Sequence, residues 1–252
     1  MPVADFLRNM LSPHSANKFL FILSPPYCGS TLLHELLSTS QNISVNNSEG
    51  TREGQGLPGV REIMFDHDRR WDESLDFDWN FIKKEWMKHW DTSRRVLLEK
   101  SPPNLIRTRS IRKHFKPAWF IVLYRNPYAH CESLIRREKY SVEKSADFAI
   151  RCLYHQKRNL ESLKYTLRLS YEELADDPEK SAGRIREFLP ELRDIRIKEV
   201  FQSHNFKNQH LQITNLNAEK LRLLTPENLE QIRTILTSHR EILSYFGYDL
   251  LP

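Results

Sequence analysis

Residues 19–33 constrain this chain more than any other stretch. Phe19-Leu20-Phe21-Ile22-Leu23 is a short apolar run with the length and composition of a buried strand. Ser24 and the pair Pro25-Pro26 break it, and Tyr27-Cys28-Gly29-Ser30-Thr31 makes a small-residue turn. Leu32, Leu33, Leu36 and Leu37 then recur at helical spacing. A strand, a glycine turn and a helix gather backbone N–H groups at the helix N-terminus, where they hold a phosphate-like anion. The turn lacks a Gly-Lys-Ser/Thr ending, so a Walker-type triphosphate site is not expected.

A second unit repeats this plan. Trp119-Phe120-Ile121-Val122-Leu123-Tyr124 reads as another buried strand, followed by Arg125-Asn126-Pro127 and a helical pattern over 127–139. Asn126 suits an N-cap and Pro127 the first helical position. Arg125 then stands at the carboxyl end of the strand, with Ser133 about two turns along the helix. A guanidinium and a hydroxyl so placed can grip one phosphate.

Further strands are expected at 96–99 and 166–170, and further helices at 30–38 and around 145–164. Strands alternating with helices imply an α/β fold with a central, mostly parallel sheet covered on both faces. Ligands then gather at the carboxyl ends of the strands, where all the motifs above fall.

Together the segments resemble the sulfotransferases that use 3′-phosphoadenylyl sulfate (PAPS), closest to the carbohydrate, tyrosylprotein and bacterial branches. Cys28-Gly29-Ser30-Thr31 is similar to the family's loop for the 5′-phosphosulfate. Arg125-Asn126-Pro127 with Ser133 is similar to its 3′-phosphate site. Leu98-Glu99-Lys100-Ser101-Pro102 resembles the Glu-Lys-Thr/Ser-Pro segment. Ser170-Tyr171-Glu172-Glu173-Leu174, followed by Asp177-Pro178, resembles the segment whose Tyr lies beside the adenine, and Tyr245-Phe246-Gly247-Tyr248 resembles bacterial members. The resemblance covers residues 18 to 250. It implies a three-layer P-loop-type fold in a single domain over 1–252, and in-line sulfuryl transfer from PAPS to a hydroxyl acceptor: a glycan, a peptide tyrosine or a small alcohol. It assigns Tyr27, Cys28, Gly29, Ser30, Thr31, Arg125, Ser133 and Tyr171 to the cofactor.

Two departures stand out. The family carries Lys or Arg before the Ser-Gly pair, aimed at the sulfuryl group, whereas Tyr27 stands there in this chain. Lys100, at the end of the strand 96–99, is the expected substitute cation. The alternative is a relative that binds the nucleotide but lost catalysis with the loop cation. Pro102 stands where the cytosolic branch has its basic His. Glu49, twenty-two residues past Tyr27, is the expected base by likeness to the tyrosylprotein branch, with Glu53, Asp66 and His67 as weaker rivals.

Composition bounds the remaining possibilities. Thirty-eight basic against thirty-three acidic residues give a net charge of +5, which suits an anionic ligand and is too mild to indicate nucleic acid. The basic residues of 107–116 read first as a solvated helix face. No transmembrane run or signal-type apolar core is present, and Cys28, Cys131 and Cys152 form no CxxC, so a cytoplasmic location is expected. The ten His residues show no metal-ligand spacing, and no metal is expected. A kinase of this fold needs the missing loop Lys, and a Cys-dependent phosphatase needs Arg where His34 stands. Residues 50–93 read as an insert: a mobile, glycine-rich loop over 50–62, then Trp71, Trp79, Trp86 and Trp90 as the core of a helical segment. The span 204–225 reads as a polar loop near the cofactor, with Lys207 and Asn217 among its residues. Oligomeric state is not legible.

Overall fold

The computed structural model describes residues 17–65, 69–197 and 213–251. Five strands form the sheet: β1 (Lys18–Leu23), β2 (Ile43–Val45), β3 (Val96–Glu99), β4 (Ala118–Tyr124) and β5 (Thr166–Ser170). Their order is β2-β3-β1-β4-β5, and all four pairings are parallel. The four expected strands form within a residue of their predicted bounds. β2 is the addition; three residues are too few to leave a periodic signal.

Both faces of the sheet are buried because β1 is apolar from Phe19 onward and β4 throughout, and alternate side chains point to opposite layers. Phe19, Phe21, Leu23, Phe120 and Val122 face one layer. It is covered by α2 (Trp79–Met87), α3 (Thr108–His114) and α5 (Val142–Ser162). Leu20, Ile22, Ile121 and Leu123 face the other, beneath α1 (Ser30–Leu37), α6 (Tyr171–Asp176) and α7 (Pro178–Phe188). A third cluster joins α4 (Pro127–Glu138) and α5 to α9 (Pro226–Thr237) and α10 (Arg240–Phe246). A short helix, α8 (Asn217–Arg222), lies within the span read as a loop; residues 198–212, with Lys207, lie outside the described part.

The tryptophans do not form a core of their own. Trp79, Trp86 and Trp90 pack with Phe19, Phe21 and Phe115 directly on the sheet, Trp86 lying 5.6 Å from Phe115 between ring centroids. The basic stretch behaves as expected: Arg109, Arg112, Lys113 and Lys116 are exposed, whereas Arg107 is buried. No helix among the described residues is long and apolar enough to cross a membrane.

The crossover from β1 leads toward β2, and the one from β4 leads toward β5. The carboxyl ends of β1 and β4 therefore flank the point where the chain diverges, the usual place for a ligand crevice. Gln156 of α5 fixes the two ends together, its Nε2 donating to Leu23 O at 2.7 Å and Leu123 O at 2.9 Å.

Candidate active site

The turn from β1 into α1 is shaped by two residues in the left-handed region, Tyr27 (φ 64°) and Gly29 (φ 90°). Gly29 is required twice over. Its φ disfavours a side chain, and a Cβ there would lie 2.6 Å from Cδ2 of Tyr171. The ring of Tyr171 thus closes on the turn. Gly29 caps α1 without a side-chain hydrogen bond, so the N–H groups of the first helical turn lack intrahelical acceptors and carry the positive end of the helix dipole. Ser30 and Thr31 open that turn. Cys28 is buried, and burial pushes its thiol well up, which makes it a small apolar filler rather than a nucleophile.

Arg125 lies across from this turn. Its Nη1 donates to the carbonyl of Tyr27 at 2.8 Å, its Nε donates to Asn217 Oδ1 at 2.8 Å, and its guanidinium stands 4.0 Å from the centroid of Tyr171. Its Nη2 is buried and has no hydrogen-bond partner. A buried cationic N–H left without an acceptor is costly, and an anion at the crevice would satisfy it.

Local capping explains much of the surrounding sequence. Asn126 accepts from Tyr128 N and Ala129 N, with Pro127 at the first helical position, as expected. Ser170 and Glu173 make a reciprocal capping box on α6, and Asp177 caps α7 ahead of Pro178. Glu172 is the buttress between them. Its carboxylate accepts from Asn126 N at 2.9 Å, Asn217 Nδ2 at 2.6 Å and the Tyr248 hydroxyl at 3.0 Å. The Tyr-Phe-Gly-Tyr segment is thereby tied to the floor of the site.

Ser133 sits in a charged cluster. Its Oγ lies 3.1 Å from Ala129 O and 3.2 Å from Glu132 Oε2, so its single proton is shared between the two acceptors. Glu132 is in turn held by Arg136 Nε at 2.6 Å and Lys220 Nζ at 2.9 Å. Burial works to raise the Glu132 pKa, but the hydrogen bonds from Lys220 and Arg136 outweigh it and hold the carboxyl down. Asn217 and Lys220 both come from α8, so one short helix serves both Arg125 and the neighbourhood of Ser133. Lys220 carries no recognisable motif, which is why sequence reasoning missed it.

The opposite side of the crevice is built around Glu99. This carboxylate, 1% exposed, accepts from Gly54 N at 2.9 Å, Ser101 N at 3.0 Å, Ser101 Oγ and the Asn104 amide. Gln55 N donates to Ser101 Oγ at 2.9 Å, and Trp86 Nε1 donates to Gly54 O at 3.0 Å. The glycine-rich loop is therefore anchored at its centre. No side chain fits at Gly54, where a Cβ would meet Asn46 Nδ2 at 2.4 Å and both Glu99 Oε1 and Trp86 Nε1 at 2.8 Å.

That anchoring brings Glu53 to Lys100. Lys100, 2% exposed, donates to Thr51 O at 2.6 Å and lies 3.9 Å from Glu53 Oε1. Burial lowers the Lys100 pKa and raises that of Glu53. Nearby His34 is also buried, and burial, with Lys100 and Arg52, brings it down to about 3. It is neutral at physiological pH. Glu49 stands on an exposed turn of the same loop, its N–H bonded to Asn47 Oδ1 and its carbonyl to Arg52 N. Asp66 and His67 lie outside the described residues.

Tyr27 points its hydroxyl at the Glu138 carboxylate, and Arg137 lies 5.7 Å from its ring centroid. Burial, then the Glu138 hydrogen bond, push its pKa up, so it brings no charge to the turn. Among the described residues no cluster of His, Cys, Asp and Glu is arranged to hold a metal.

The sequence matches the model of the sulfotransferase family over residues 20–193. No curated protein matches it. Among solved structures, the chain is similar to the sulfotransferase domain of the olefin synthase from Synechococcus PCC 7002, at 22% identity and a TM-score of 0.59, covering 95% of this chain and 98% of that one. It is also similar to the sulfotransferase domain from the curacin biosynthetic pathway (18%, 0.57, 93% and 99%). A third similar structure is the sulfotransferase from Alicyclobacillus acidocaldarius (15%, 0.55, 94% and 98%). At these identities the likeness is one of fold.

Proposed function

Because the chain belongs to the sulfotransferase family, we propose that it moves a sulfuryl group from PAPS to the hydroxyl of an acceptor by in-line displacement. The observation that carries this reading is the buried, unpartnered Nη2 of Arg125, held beside the free N-terminus of α1. Arg125 and Ser133 would take the 3′-phosphate, Tyr171 the adenine, and the N–H groups of residues 28–31 the 5′-phosphosulfate. In the reaction the acceptor oxygen bonds to sulfur while the bond from sulfur to the phosphate oxygen breaks. The electron pair stays on adenosine 3′,5′-bisphosphate, and the acceptor proton passes to a carboxylate.

For that carboxylate we favour Glu53 over Glu49, since Glu53 stands beside Lys100 and burial raises its proton affinity above the ordinary carboxylate's. Lys100 would stabilise charge on the sulfuryl oxygens and the leaving phosphate. The test is transfer of ³⁵S label from PAPS to a panel of a glycan, a tyrosyl peptide and a small alcohol. It is paired with titration of adenosine 3′,5′-bisphosphate against ATP. Transfer, with preference for the bisphosphate, supports the reading; preference for ATP overturns it.

A second reading is favoured by one feature, the tie between Tyr27 and Glu138, which leaves the turn without a cation. On that reading the protein binds the nucleotide and does not turn over. Bisphosphate binding with no label transfer to any acceptor, or to water, would establish it.

A further inference from the structure

Gln55 sits in the single 3₁₀ turn Gly54–Gly56 and is wholly buried. Its backbone N–H is fixed by Ser101 Oγ at 2.9 Å, and that of Gly54 by the Glu99 carboxylate, also at 2.9 Å. In the side chain, Nε2 donates to Glu53 Oε2 at 2.5 Å, while Oε1 is buried without a hydrogen-bond partner. A buried amide with an orphaned oxygen weakens folding, and a leucine of nearly the same size would pack there without that cost. Packing therefore does not account for a glutamine at this position. The contact with Glu53 does.

That contact fixes which way the Glu53 carboxylate faces. The backbone of Glu53 is held as well, Asn47 Nδ2 donating to its carbonyl at 2.9 Å. With Oε2 on Gln55, Oε1 lies 3.9 Å from Lys100 Nζ, beyond hydrogen-bond reach. This oxygen stands beside the ammonium without being tied to it. The Thr51 hydroxyl also bonds the carboxylate, whose two oxygens together accept up to about four hydrogen bonds. If Lys100 stabilises the sulfuryl oxygens, Oε1 is the carboxylate oxygen turned toward the reaction.

We propose that Gln55 is a positioning residue for the transfer reaction: it holds Glu53 Oε2 and so presents Oε1 as the oxygen that takes the acceptor proton. The inference rests on the function proposed above, with Glu53 as its base. In the step, the acceptor O–H bond breaks, its proton passing to Oε1 as its oxygen bonds to sulfur. The bond from sulfur to the phosphate oxygen breaks, and adenosine 3′,5′-bisphosphate keeps the electron pair. Gln55 itself forms and breaks no covalent bond. Its N–H group holds a rotatable carboxylate in one orientation, and rate depends steeply on such placement.

The experiment compares wild type, Gln55→Leu, Gln55→Glu and Glu53→Gln. It measures kcat and KM for ³⁵S transfer from PAPS across pH, using whichever of the glycan, tyrosyl peptide or small alcohol the wild type sulfates. Affinity for adenosine 3′,5′-bisphosphate is titrated alongside. Gln55→Leu should lower kcat by about 10- to 100-fold. Its KM and bisphosphate affinity should stay within about twofold, which also certifies the fold. Its acid limb should move up by about 1 pH unit, because the lost N–H favoured the ionised carboxylate. Gln55→Glu, which sets a second carboxyl against the first, should move the limb further in the same direction. Lys100, Glu99 and Arg70, the other charged groups that bear on Glu53, are unchanged in these variants. Transfer by Gln55→Leu within about twofold of wild type overturns the proposal. So does a lower rate with the acid limb unmoved, which would be a loss of packing alone. If Glu53→Gln transfers as fast as wild type, Glu53 is not the base, and this inference falls with that assignment. A wild type that binds no bisphosphate, or transfers no label, would instead bring down the parent reading and this inference with it.

Discussion

The two sides of the crevice are built on different principles. On the side of β4 and β5 the helix starts are fixed by short-range devices: Asn126 on Tyr128 and Ala129, Ser170 with Glu173, and Asp177 ahead of Pro178. The side of β3 is assembled from long-range convergence on one carboxylate. Glu99 receives Gly54 from 45 residues away, and the Trp86 indole secures the same loop from 32 residues away. The first kind of construction fixes each helix start independently. The second fails as a unit, because removing any member leaves a buried polar group unpaired.

That contrast can be broken most forcefully at Trp86. Trp86→Ala should cost about 3–5 kcal/mol of stability, by the lost apolar burial and by a cavity between the sheet and the loop. Denaturant titration measures the loss. If affinity for adenosine 3′,5′-bisphosphate survives in the folded fraction, the two sides are energetically separate; if it falls in step, the contrast is wrong.

Next in size is Arg125→Ala. A charged hydrogen-bond set of this kind is worth about 1.5–3 kcal/mol, so bisphosphate affinity should fall roughly 10- to 100-fold, and adenosine 5′-phosphate affinity much less. Calorimetric titration of both nucleotides reads the difference directly. Equal loss for the two would make the arginine a structural tie between the turn and α8.

The pH profile sharpens the β3 side. A base must be unprotonated, and burial raises the Glu53 pKa, so the acid limb of turnover should lie above the ordinary carboxylate range. A cation must be protonated, and burial lowers the Lys100 pKa, so the alkaline limb should lie below the ordinary lysine range. Rate should fall about tenfold per pH unit beyond each limb. Glu53→Gln should abolish the acid limb and Glu49→Gln should leave it; the reverse result makes Glu49 the base.

The smallest effect is expected at a cap. Asn126→Ala should cost about 1 kcal/mol, seen as a modest shift in the denaturation midpoint with the slope unchanged. A loss several times larger would show that the β4 side is also cooperative, through the Glu172 contacts that pass by Asn126.

This division also explains what could be read in advance. Arg125, Asn126 and the Tyr171–Glu172 segment were legible because each belongs to a strand end and a cap only a few residues long. Gly29 was legible as a turn residue, though its contact with Tyr171 was not. On the β3 side, Glu99 passed as part of a motif without a role, and the tryptophans passed as the core of an insert when they belong to the sheet. The expected base was Glu49 with Glu53 a weaker rival, and spacing could not show that Glu53 is the one that lies beside Lys100. Nor could it show that the Tyr27 hydroxyl is given to Glu138, 111 residues away.

The chain by itself determined its strands, its helix starts and the direction in which its strand-to-helix turns open, since apolar runs, caps and left-handed glycines act through neighbouring residues. The order of the strands, the convergence on Glu99 and the pairing of Glu53 with Lys100 were decided only by the tertiary structure. Those features join segments tens of residues apart, and no local propensity records which distant donor will satisfy a buried acceptor.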